Sequence, residues 1–534
     1  MRFKKITAAA LAGVLLLTVL CGCGKKEVET VESPFTIAVA QTVDSLNPMV
    51  SEGGLAEEFF LLCYDTLWRL DENGTPTECL VESFDQSSDG LTWTIRIRRD
   101  VTFSDGEPLT AQDVLFSYEM ASQYSELYRD YFDGIATMRC PDDYTIIITT
   151  DYVKGDMKYN PTPILPQHIW KSYEFSPEDF DNAQMVGSGP FVFEQLPNDS
   201  DQTGWKFTAR EDYFGDSPKT SVIQFISSAT VTGAARQVSS GEADAAFGLT
   251  DVQLTTLQEV PGVQLVQSVL PGAQAWGVAY NTQSDFFEAE SMRELIDCCL
   301  DKDWILSMSV GGAGVTGCGF VPEGAAYYTP IAAERSYDTA LVRSSLAAAG
   351  YADTDEDGIL ENSKGEPLTL TLYTSELDDW APTVASILQS ALMEAGIDVV
   401  WVKTEKDIRS ACKAGGDWDM CLFGWEGSAD AAVASSNFVA DMQAITGWQD
   451  ASVDAALQQV LTAQDEDAQC TAVAVLQQAV YAGCAVSVIG YTADIQAVRS
   501  DGWGGYQAAL SGLGGLFGTG SAAAYMGITS EAVG

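Results

Sequence analysis

Histidine is almost absent from this 534-residue chain, which has only His168. A His-x3-His zinc pair needs two histidines, so the sequence excludes it. A Ser-His or Cys-His dyad could form only around His168, for which we expect a structural role. The sequence therefore predicts neither a histidine-based metal site nor a catalytic dyad elsewhere in the chain.

Positive charge is also scarce, because 28 Lys and Arg residues face 76 Asp and Glu residues and the formal net charge is -48. Such a surface repels nucleic acid and anionic lipid headgroups. Solubility is the ordinary explanation of this charge, and a site for cationic substrates is the alternative. We expect no nucleic-acid partner.

No Cys-x-x-Cys pair occurs among the twelve cysteines. Ten remain when Cys21 and Cys23 are set aside for the N-terminal signal described next, and an even number outside the cell permits disulfides. Buried free thiols are the alternative, since a chain with 46% apolar residues can build large cores without a disulfide framework. Its length suggests about three structural units.

Long apolar runs are missing except at the N-terminus, where Ile6 to Leu20 follow Arg2, Lys4 and Lys5. This run is short for a membrane span of about twenty residues and is typical of an export signal. Leu20-Cys21-Gly22-Cys23 resembles a lipobox, which predicts cleavage before Cys23 and lipidation of its sulfur. A plain secretory signal cut elsewhere is the alternative.

Removal of residues 1–22 takes three positive charges away and lowers the net charge from -48 to -51. Residues 23–34 then form a polar, lipidated tether. We expect a protein anchored by lipid on the extracytoplasmic face of the cell membrane.

The stretch from Asp89 to Tyr118 predicts turn, strand, turn and helix in succession. Asp89-Gly90 and Asp105-Gly106 are turn dipeptides, and apolar residues alternate with polar ones from Leu91 to Arg98. Thr110 and Asp113 have the spacing of a capping box, after which Val114, Leu115 and Tyr118 share one helical face. Five further short segments are distinctive, and each occurs once. In chain order they are Thr42 to Pro48, Ile164 to Trp170, Gly187 to Pro190, Gly241 to Asp244 and Ala279 to Thr282.

This succession resembles the bacterial extracellular solute-binding proteins, family 5, the oligopeptide- and dipeptide-binding lipoproteins of ABC importers. The resemblance implies an α/β fold of the two-lobe, periplasmic-binding-protein-like (Venus flytrap) kind, with an additional subdomain inserted in lobe I. By analogy, lobe I spans 35–280 with the insertion at about 65–185, lobe II spans 281–488, and 489–534 return to lobe I. A strand, helix, strand pattern from Leu368 onward independently predicts parallel strands in lobe II.

The family resemblance also points to a ligand site. The strand Met420 to Trp425 and the residues after it resemble the segment that pairs with an extended ligand. Gly424 and Gly427 would allow close backbone approach, and Trp425 would supply a flat wall unless it belongs to the core. The full set of candidate ligand-binding residues is Leu46, Asn47, Trp276, Gly424, Trp425, Glu426, Gly427, Ser428 and Asp430.

One position departs from the family pattern. Peptide binders of the family place an aspartate three residues after this tryptophan, where it pairs with the ligand's amino group, and here that residue is Ser428. Either Asp430 reaches the amine in its place, or the ligand lacks a free N-terminus.

Two other motifs are incomplete. Gly312 to Gly317 spells G-x-G-x-x-G but follows a predicted helix instead of a strand, which disfavours a dinucleotide site. Asp353 to Gly358 resembles the first half of a calcium loop, but Lys364 stands where a closing Glu belongs. We interpret it as an acidic turn, with partial calcium binding as the alternative.

Taken together, the sequence predicts a monomeric substrate-binding protein of an ABC importer, with no catalytic activity and no cofactor. It would bind peptides or peptide-like solutes between its lobes and deliver them to the permease by hinge closure. The alternatives are a binder of a nickel chelate, opine or oligosaccharide, a peptide-sensing receptor, and an extracellular hydrolase that uses Glu426 and Asp430.

Overall fold

Strand pairing in the computed structural model separates the chain into two large sheets. The structure describes residues 33–530 except 72–75, 152–153, 197–203, 270–271, 310–313, 326, 332–334, 429, 464–465 and 506–521. The predicted signal, Cys23 and most of the tether lie outside the described residues. So does the beginning of the Gly312 motif.

The strands, in chain order, are β1 (Phe35–Val39), β2 (Trp68–Leu70), β3 (Pro76–Glu78), β4 (Val81–Gln86), β5 (Thr92–Ile97), β6 (Ile135–Asp142), β7 (Thr145–Thr150), β8 (Phe191–Gln195), β9 (Gly204–Ala209), β10 (Val222–Ser227), β11 (Ala245–Leu249), β12 (Val263–Ser268), β13 (Gln274–Tyr280), β14 (Gly314–Thr316), β15 (Thr369–Ser375), β16 (Asp398–Thr404), β17 (Met420–Glu426), β18 (Val486–Thr492), β19 (Asp494–Arg499), β20 (Trp503–Gly504) and β21 (Thr529–Ser530).

The helices are α1 (Leu55–Cys63), α2 (Ala111–Tyr124), α3 (Gln167–Trp170), α4 (Val231–Ser240), α5 (Asp251–Leu257), α6 (Glu290–Asp297), α7 (Lys302–Ser309), α8 (Thr339–Ala348), α9 (Ala381–Ala395), α10 (Ile408–Ala411), α11 (Ala431–Thr446), α12 (Ala451–Thr462), α13 (Glu466–Gly483) and α14 (Ala523–Gly527). Short 3-10 turns lie at Arg129–Phe132, Gly155–Tyr159, Lys171–Tyr173 and Pro177–Asp179. No helix in the described part of the chain has the length and apolar character of a membrane span.

The first lobe is built on a seven-stranded sheet in the order β12-β19-β11-β1-β10-β9-β8. Its central strand β1 runs parallel to both neighbours, β10 and β11. Helix α1 packs on this sheet through Phe59, whose ring lies 4.9 Å from Phe207 and 5.1 Å from Phe225, measured between centroids. These aromatic contacts set the position of α1, which also borders the cleft described below.

The inserted subdomain is a four-stranded antiparallel sheet, β4-β5-β7-β6, with α2 beside it. The alternating pattern of Asp89 to Tyr118 is confirmed, because Trp93, Ile95 and Ile97 of β5 are buried. The capping box is confirmed as well, since the backbone N–H of Thr110 donates to Oδ2 of Asp113 at 2.8 Å. This subdomain shares one hydrophobic core with the first lobe.

The second lobe is built on a six-stranded sheet in the order β14-β18-β13-β17-β15-β16. Strand β15 runs parallel to β16 and β17, as the pattern after Leu368 predicts. The segment from Met292 to Leu306 is not one continuous helix but belongs to two, α6 and α7. The second begins where the Asp301 carboxylate accepts a hydrogen bond from Trp304 N at 3.1 Å, an N-cap interaction that starts a new helix.

The crossings between lobes lie outside the predicted boundaries of 281 and 488. Strand β13 pairs with β17 and β18 along its length, so the chain has already entered the second lobe at Gln274. It returns at Ala493, the single residue between β18 of the second sheet and β19 of the first. The chain therefore passes between the two sheets after Ser268 and before Gln274, and again at Ala493.

Gly277, in the six-stranded sheet of the second lobe, provides a test of the packing between β13 and β18. A Cβ at Gly277 of β13 would lie 2.6 Å from the Ser487 carbonyl oxygen of β18, whereas one at Gly502 would meet nothing within 4 Å. We expect Gly277→Ala to cost about 1–3 kcal/mol and lower the thermal unfolding midpoint. The matched control Gly502→Ala should leave it nearly unchanged, and equal midpoints would contradict the close approach of β13 and β18.

Candidate ligand cleft

A cavity of about 770 Å³ is lined by both lobes. The first lobe contributes α1, β2, residues 127–131 and residues 158–163, and the second contributes residues 272–274 and 427–428. Thr492, Ala493 and Asp494, at the return crossing, also line the cavity. This volume lies within the range of small-molecule sites, about 300–1,000 Å³.

Aromatic side chains dominate the first-lobe wall of this cleft. The aromatic lining residues are Phe60, Tyr64, Trp68, Tyr128, Tyr131, Tyr159 and Phe247. Tyr131, Tyr159 and Phe247 are partly exposed and offer flat apolar faces. The other four, Phe60, Tyr64, Trp68 and Tyr128, are at most 6% exposed and back the wall from the core. A ligand of mixed polar and apolar character suits such a wall.

Two of the charged groups in the lining neutralise each other. Oδ1 of Asp65 lies 3.1 Å from Nη2 of Arg69, and Tyr213 donates its hydroxyl to the same oxygen at 2.9 Å. Arg69 also contacts the Cys79 thiol at 2.7 Å. Burial raises the pKa of Cys79 to about 12, so this thiol stays protonated at neutral pH.

Two carboxyl groups of the lining have raised pKa values. At Glu57, desolvation by the surrounding protein is the larger cause, and repulsion from Asp44 adds to it. At Asp494, burial raises the pKa, although hydrogen bonds from Gln496 and the Gly248 backbone oppose it. Among the residues the structure describes, neither carboxylate forms a salt bridge, so the cleft retains unneutralised acidic groups.

Of the predicted site residues, Gly427 and Ser428 line the cleft. The Gly427 backbone N–H donates to the Ala273 carbonyl at 3.0 Å, which joins the segment to the first crossing. The Ser428 carbonyl accepts a hydrogen bond from the Tyr327 hydroxyl. Their role in ligand binding stays a prediction, but their position at the cleft is that of a binding segment.

Trp425 lies in the core of the second lobe and is only 5% exposed, which corrects its placement as a cleft wall. Its ring packs 4.9 Å from that of Phe438, and its Nε1 donates to the Phe320 carbonyl at 2.9 Å. The cause is strand alternation, which turns Phe423 and Trp425 toward the face that α11 covers. Sequence alone could not decide which face of β17 is covered.

The neighbours of Trp425 in β17 do not line the cavity either. Gly424 faces Trp276 and Trp380, and its carbonyl accepts a hydrogen bond from Arg409 at 2.8 Å. Glu426 is exposed at the end of the strand. Trp276 is 3% exposed and packs 5.8 Å from Trp380, so it also belongs to the core.

Asp430 caps α11 and is 3% exposed, so the structure does not support its placement as the amine-binding group. Its Oδ1 accepts a hydrogen bond from the Val433 backbone N–H at 2.8 Å, and its own N–H donates to the Ser428 hydroxyl at 3.0 Å. The carboxylate of Asp430 is thus engaged in capping its own helix.

Leu46 and Asn47 tie the loop after β1 to the first lobe, and neither lines the cavity. The Asn47 amide donates to the carbonyls of Pro177 and Phe180 at 2.8 and 2.7 Å, and the Leu46 carbonyl accepts from Asn182 at 2.7 Å. Asn47 is 1% exposed. Both residues therefore stabilise the loop, which is a structural function that ligand-binding analogy did not predict.

Sequence reasoning missed the acidic and aromatic groups of the cleft: Glu57, Asp494, Tyr128 and Tyr131. Glu57 follows Gly53-Gly54 at the start of an apolar helix, a local signal that marks a helix start but gives no hint of a cleft. The four residues come from three distant segments, so only the fold brings them together.

His168 and the acidic turn lie outside the lining of the cleft. Nε2 of His168 lies 2.8 Å from Oδ2 of Asp105 on the surface. In the acidic turn, Asp353, Asp355, Asp357 and Glu361 bring carboxylate oxygens within 4.8 Å of one another, and Thr354 donates to Glu361 twice. Glu361, three residues before Lys364, thus completes the acidic group. The ten cysteines outside the signal are thiols and not disulfides.

Comparison with known proteins agrees with this architecture. Residues 75–445, more than half of the chain, match the family model for bacterial extracellular solute-binding proteins, family 5 Middle. Oligopeptide-binding protein AppA of Bacillus subtilis (strain 168) is 24% identical over 393 residues, 71% of each protein. Di/tripeptide-binding protein 1 of Pseudomonas aeruginosa (strain UCBPP-PA14) is 24% identical over 392 residues, 68% of this chain and 70% of that protein.

Solved structures show the same fold. The structure of AppA from Bacillus subtilis in complex with a nonapeptide matches with a TM-score of 0.60 and 20% identity, covering 94% of this chain and 99% of that one. NikZ from Campylobacter jejuni in complex with Ni(L-His) matches with a TM-score of 0.62 and 21% identity, covering 89% and 95%.

Two α/β lobes with a cleft lined by both define a solute-binding protein, a class that binds its substrate without transforming it. The chain belongs to family 5 of the bacterial extracellular solute-binding proteins.

The role of Asp430 can be separated from ligand binding by two substitutions. Asp430→Ala removes the cap and should destabilise α11 by about 1 kcal/mol, whereas Asp430→Asn keeps a capping side chain. We expect a lower thermal unfolding midpoint only for the alanine variant, and unchanged ligand affinity for the asparagine variant in calorimetric titration. Loss of affinity in Asp430→Asn with normal stability would restore Asp430 as a ligand contact.

Proposed function

We propose that this protein is a lipid-anchored receptor of an ABC importer that binds short peptides or peptide-like solutes in the cleft and presents them to the permease. The observation that carries the proposal is the 770 Å³ cavity lined by both lobes and by the return crossing. A ligand there contacts both lobes at once, so its binding favours the conformation in which they are close.

The chemistry of the lining supports a peptide-like ligand. Aromatic rings and methylene groups of the first-lobe wall suit variable side chains, while Gln41, Gln274 and Ser428 provide hydrogen-bonding groups. The names of relatives agree, since both curated relatives compared above are peptide-binding proteins by name.

Contacts at the rim support hinge closure. The turn Gly155–Tyr159 of the first lobe lies against α11 of the second, on the rim of the cleft. Tyr159 is also close enough to the buried Tyr327 hydroxyl to affect its titration. With the crossing between β12 and β13 and the return at Ala493 as the hinge, separation of these rim contacts would open the cleft.

Filling the cleft tests the binding site. Gly272 lines the cavity, and a Cβ added there would meet nothing within 4 Å. Gly502 has the same open space but does not line the cavity. We expect Gly272→Trp to abolish calorimetric binding of di- to tetrapeptides and Gly502→Trp to retain it, with similar thermal midpoints for the two free proteins. Native mass spectrometry of the purified protein provides a second readout, and a uniform non-peptide mass on the wild-type protein would defeat the peptide assignment.

Lipid anchoring is tested at the predicted lipobox. In a bacterium with lipoprotein-processing enzymes, we expect Cys23→Ser to move the protein from the membrane fraction to the soluble fraction, because the acylated sulfur is lost. The control Cys21→Ser alters a residue that leaves with the signal and should remain in the membrane fraction. Incorporation of a labelled fatty acid into the wild-type protein and the control alone completes the test. Retention of Cys23→Ser at the membrane would refute the anchor.

A further inference from the structure

The cleft contains more negative than positive groups. Its lining includes the carboxylates of Glu57, Glu58, Asp65 and Asp494 against two cationic side chains, Arg69 and Lys158. Arg69 is paired with Asp65 at 3.1 Å, so this acid is neutralised. Glu58 is 5% exposed and bonds to the Tyr525 hydroxyl, which places it within the core of the first lobe. Glu57 and Asp494 are the acids that remain.

Lys158 does not neutralise either of these acids in the described structure. Its ammonium lies 5.0 Å from the centroid of the Phe84 ring, a cation–π arrangement in the inserted subdomain. The salt bridges of the described residues include neither Glu57 nor Asp494. Both carboxylates thus face the cleft without a cationic side chain at bonding distance.

Glu57 sits on the aromatic part of the wall. Burial raises the pKa of Tyr128, and the negative charge of Glu57 raises it further. Tyr128 and Tyr131 both line the cavity. Gly53, with a φ of 103°, makes room for this carboxylate, because a Cβ there would lie 2.7 Å from Oε1 of Glu57. An acidic group beside aromatic rings that line a cavity is the combination that attracts organic cations.

Asp494 lines the cavity as the first residue of β19. Its carboxylate accepts from the Gln496 amide and from the Gly248 backbone, neutral donors that orient the group without cancelling its charge. Phe247, adjacent to Gly248, is again an aromatic lining residue. Because Asp494 follows the return crossing directly, a charge bound there contacts the hinge.

We propose that the cleft selects ligands that carry a positively charged nitrogen, with Glu57 and Asp494 as the specificity-determining residues. The inference deepens the proposed function and rests on the cleft being the solute site. The charged nitrogen has two possible sources in a peptide, a free N-terminal amine or a basic side chain. A protonated amine near either carboxylate gains a charge-assisted hydrogen bond, and an acidic ligand is repelled by both.

The test compares ligands that differ only in charge. Calorimetric titration of the protein without residues 1–22 would use Ala-Lys-Ala, its norleucine analogue, its glutamate analogue and the N-acetylated form of each. A second panel contains the small organic cations choline and putrescine, the neutral sugar glucose and the dianion succinate. We expect loss of the ligand's positive charge to weaken binding about tenfold or more. N-acetylation of the peptide tests the terminal amine, and replacement of lysine by norleucine tests the side chain.

Isosteric variants assign the effect to the two residues. Glu57→Gln and Asp494→Asn should each weaken binding of the preferred cationic ligand about tenfold and reduce its advantage over the neutral analogue. Glu126→Gln, next to the lining residue Leu127 but outside the lining, is the matched control and should bind like the wild type. Thermal midpoints of the free variants show that each is folded.

The outcomes separate this inference from the proposed function. Binding of choline or putrescine without binding of any peptide would refute the peptide assignment and support the charge selection. Equal affinity for the lysine, norleucine and glutamate peptides, or preference for glucose or succinate, would overturn the charge selection. Full cationic preference in both Glu57→Gln and Asp494→Asn would overturn the assignment to these residues.

Discussion

The pairing of β13 with β17 and β18 is the constraint on which the cleft depends. It makes β13 a central strand of the second sheet, and β18 then leads through Ala493 into β19 of the first sheet. Two neighbouring segments therefore join the lobes, and ligand-lining residues lie on both of them. Close approach at Gly277 shows how tightly this pairing is packed, since a side chain there would meet the Ser487 carbonyl.

Packing around this sheet explains why β17, the strand predicted to pair with the ligand, does not itself form a wall of the cleft. The two faces of β17 are both covered, one by Phe438 of α11 and the other by Trp380 beside α9. Except for the exposed Glu426, its side chains pack in the core. The residues that follow the strand, Gly427 and Ser428, line the cavity. The aromatic and acidic side chains that line the cavity come mainly from the first lobe.

Local structure was largely predictable because it depends on neighbours in the chain. The strand and capped helix between Asp89 and Tyr118 follow from alternation and from the Thr110–Asp113 pair, and both are present. The crossing positions and the split between α6 and α7 were not, since each depends on a partner strand or a single capping carboxylate. At the site, proximity to Trp425 in sequence suggested Asp430, but that carboxylate caps α11 and is 3% exposed.

The sequence by itself determined the family, the α/β class, the lack of a histidine-based centre and the excess of negative charge, because these depend on composition and local pattern. Only the tertiary structure decided which acids face the ligand. Glu57 and Asp494 are 437 positions apart in the numbering and meet one cavity because α1 packs on the first sheet while β19 enters it from the return crossing. Such long-range juxtaposition follows from packing of whole elements, which no local pattern encodes.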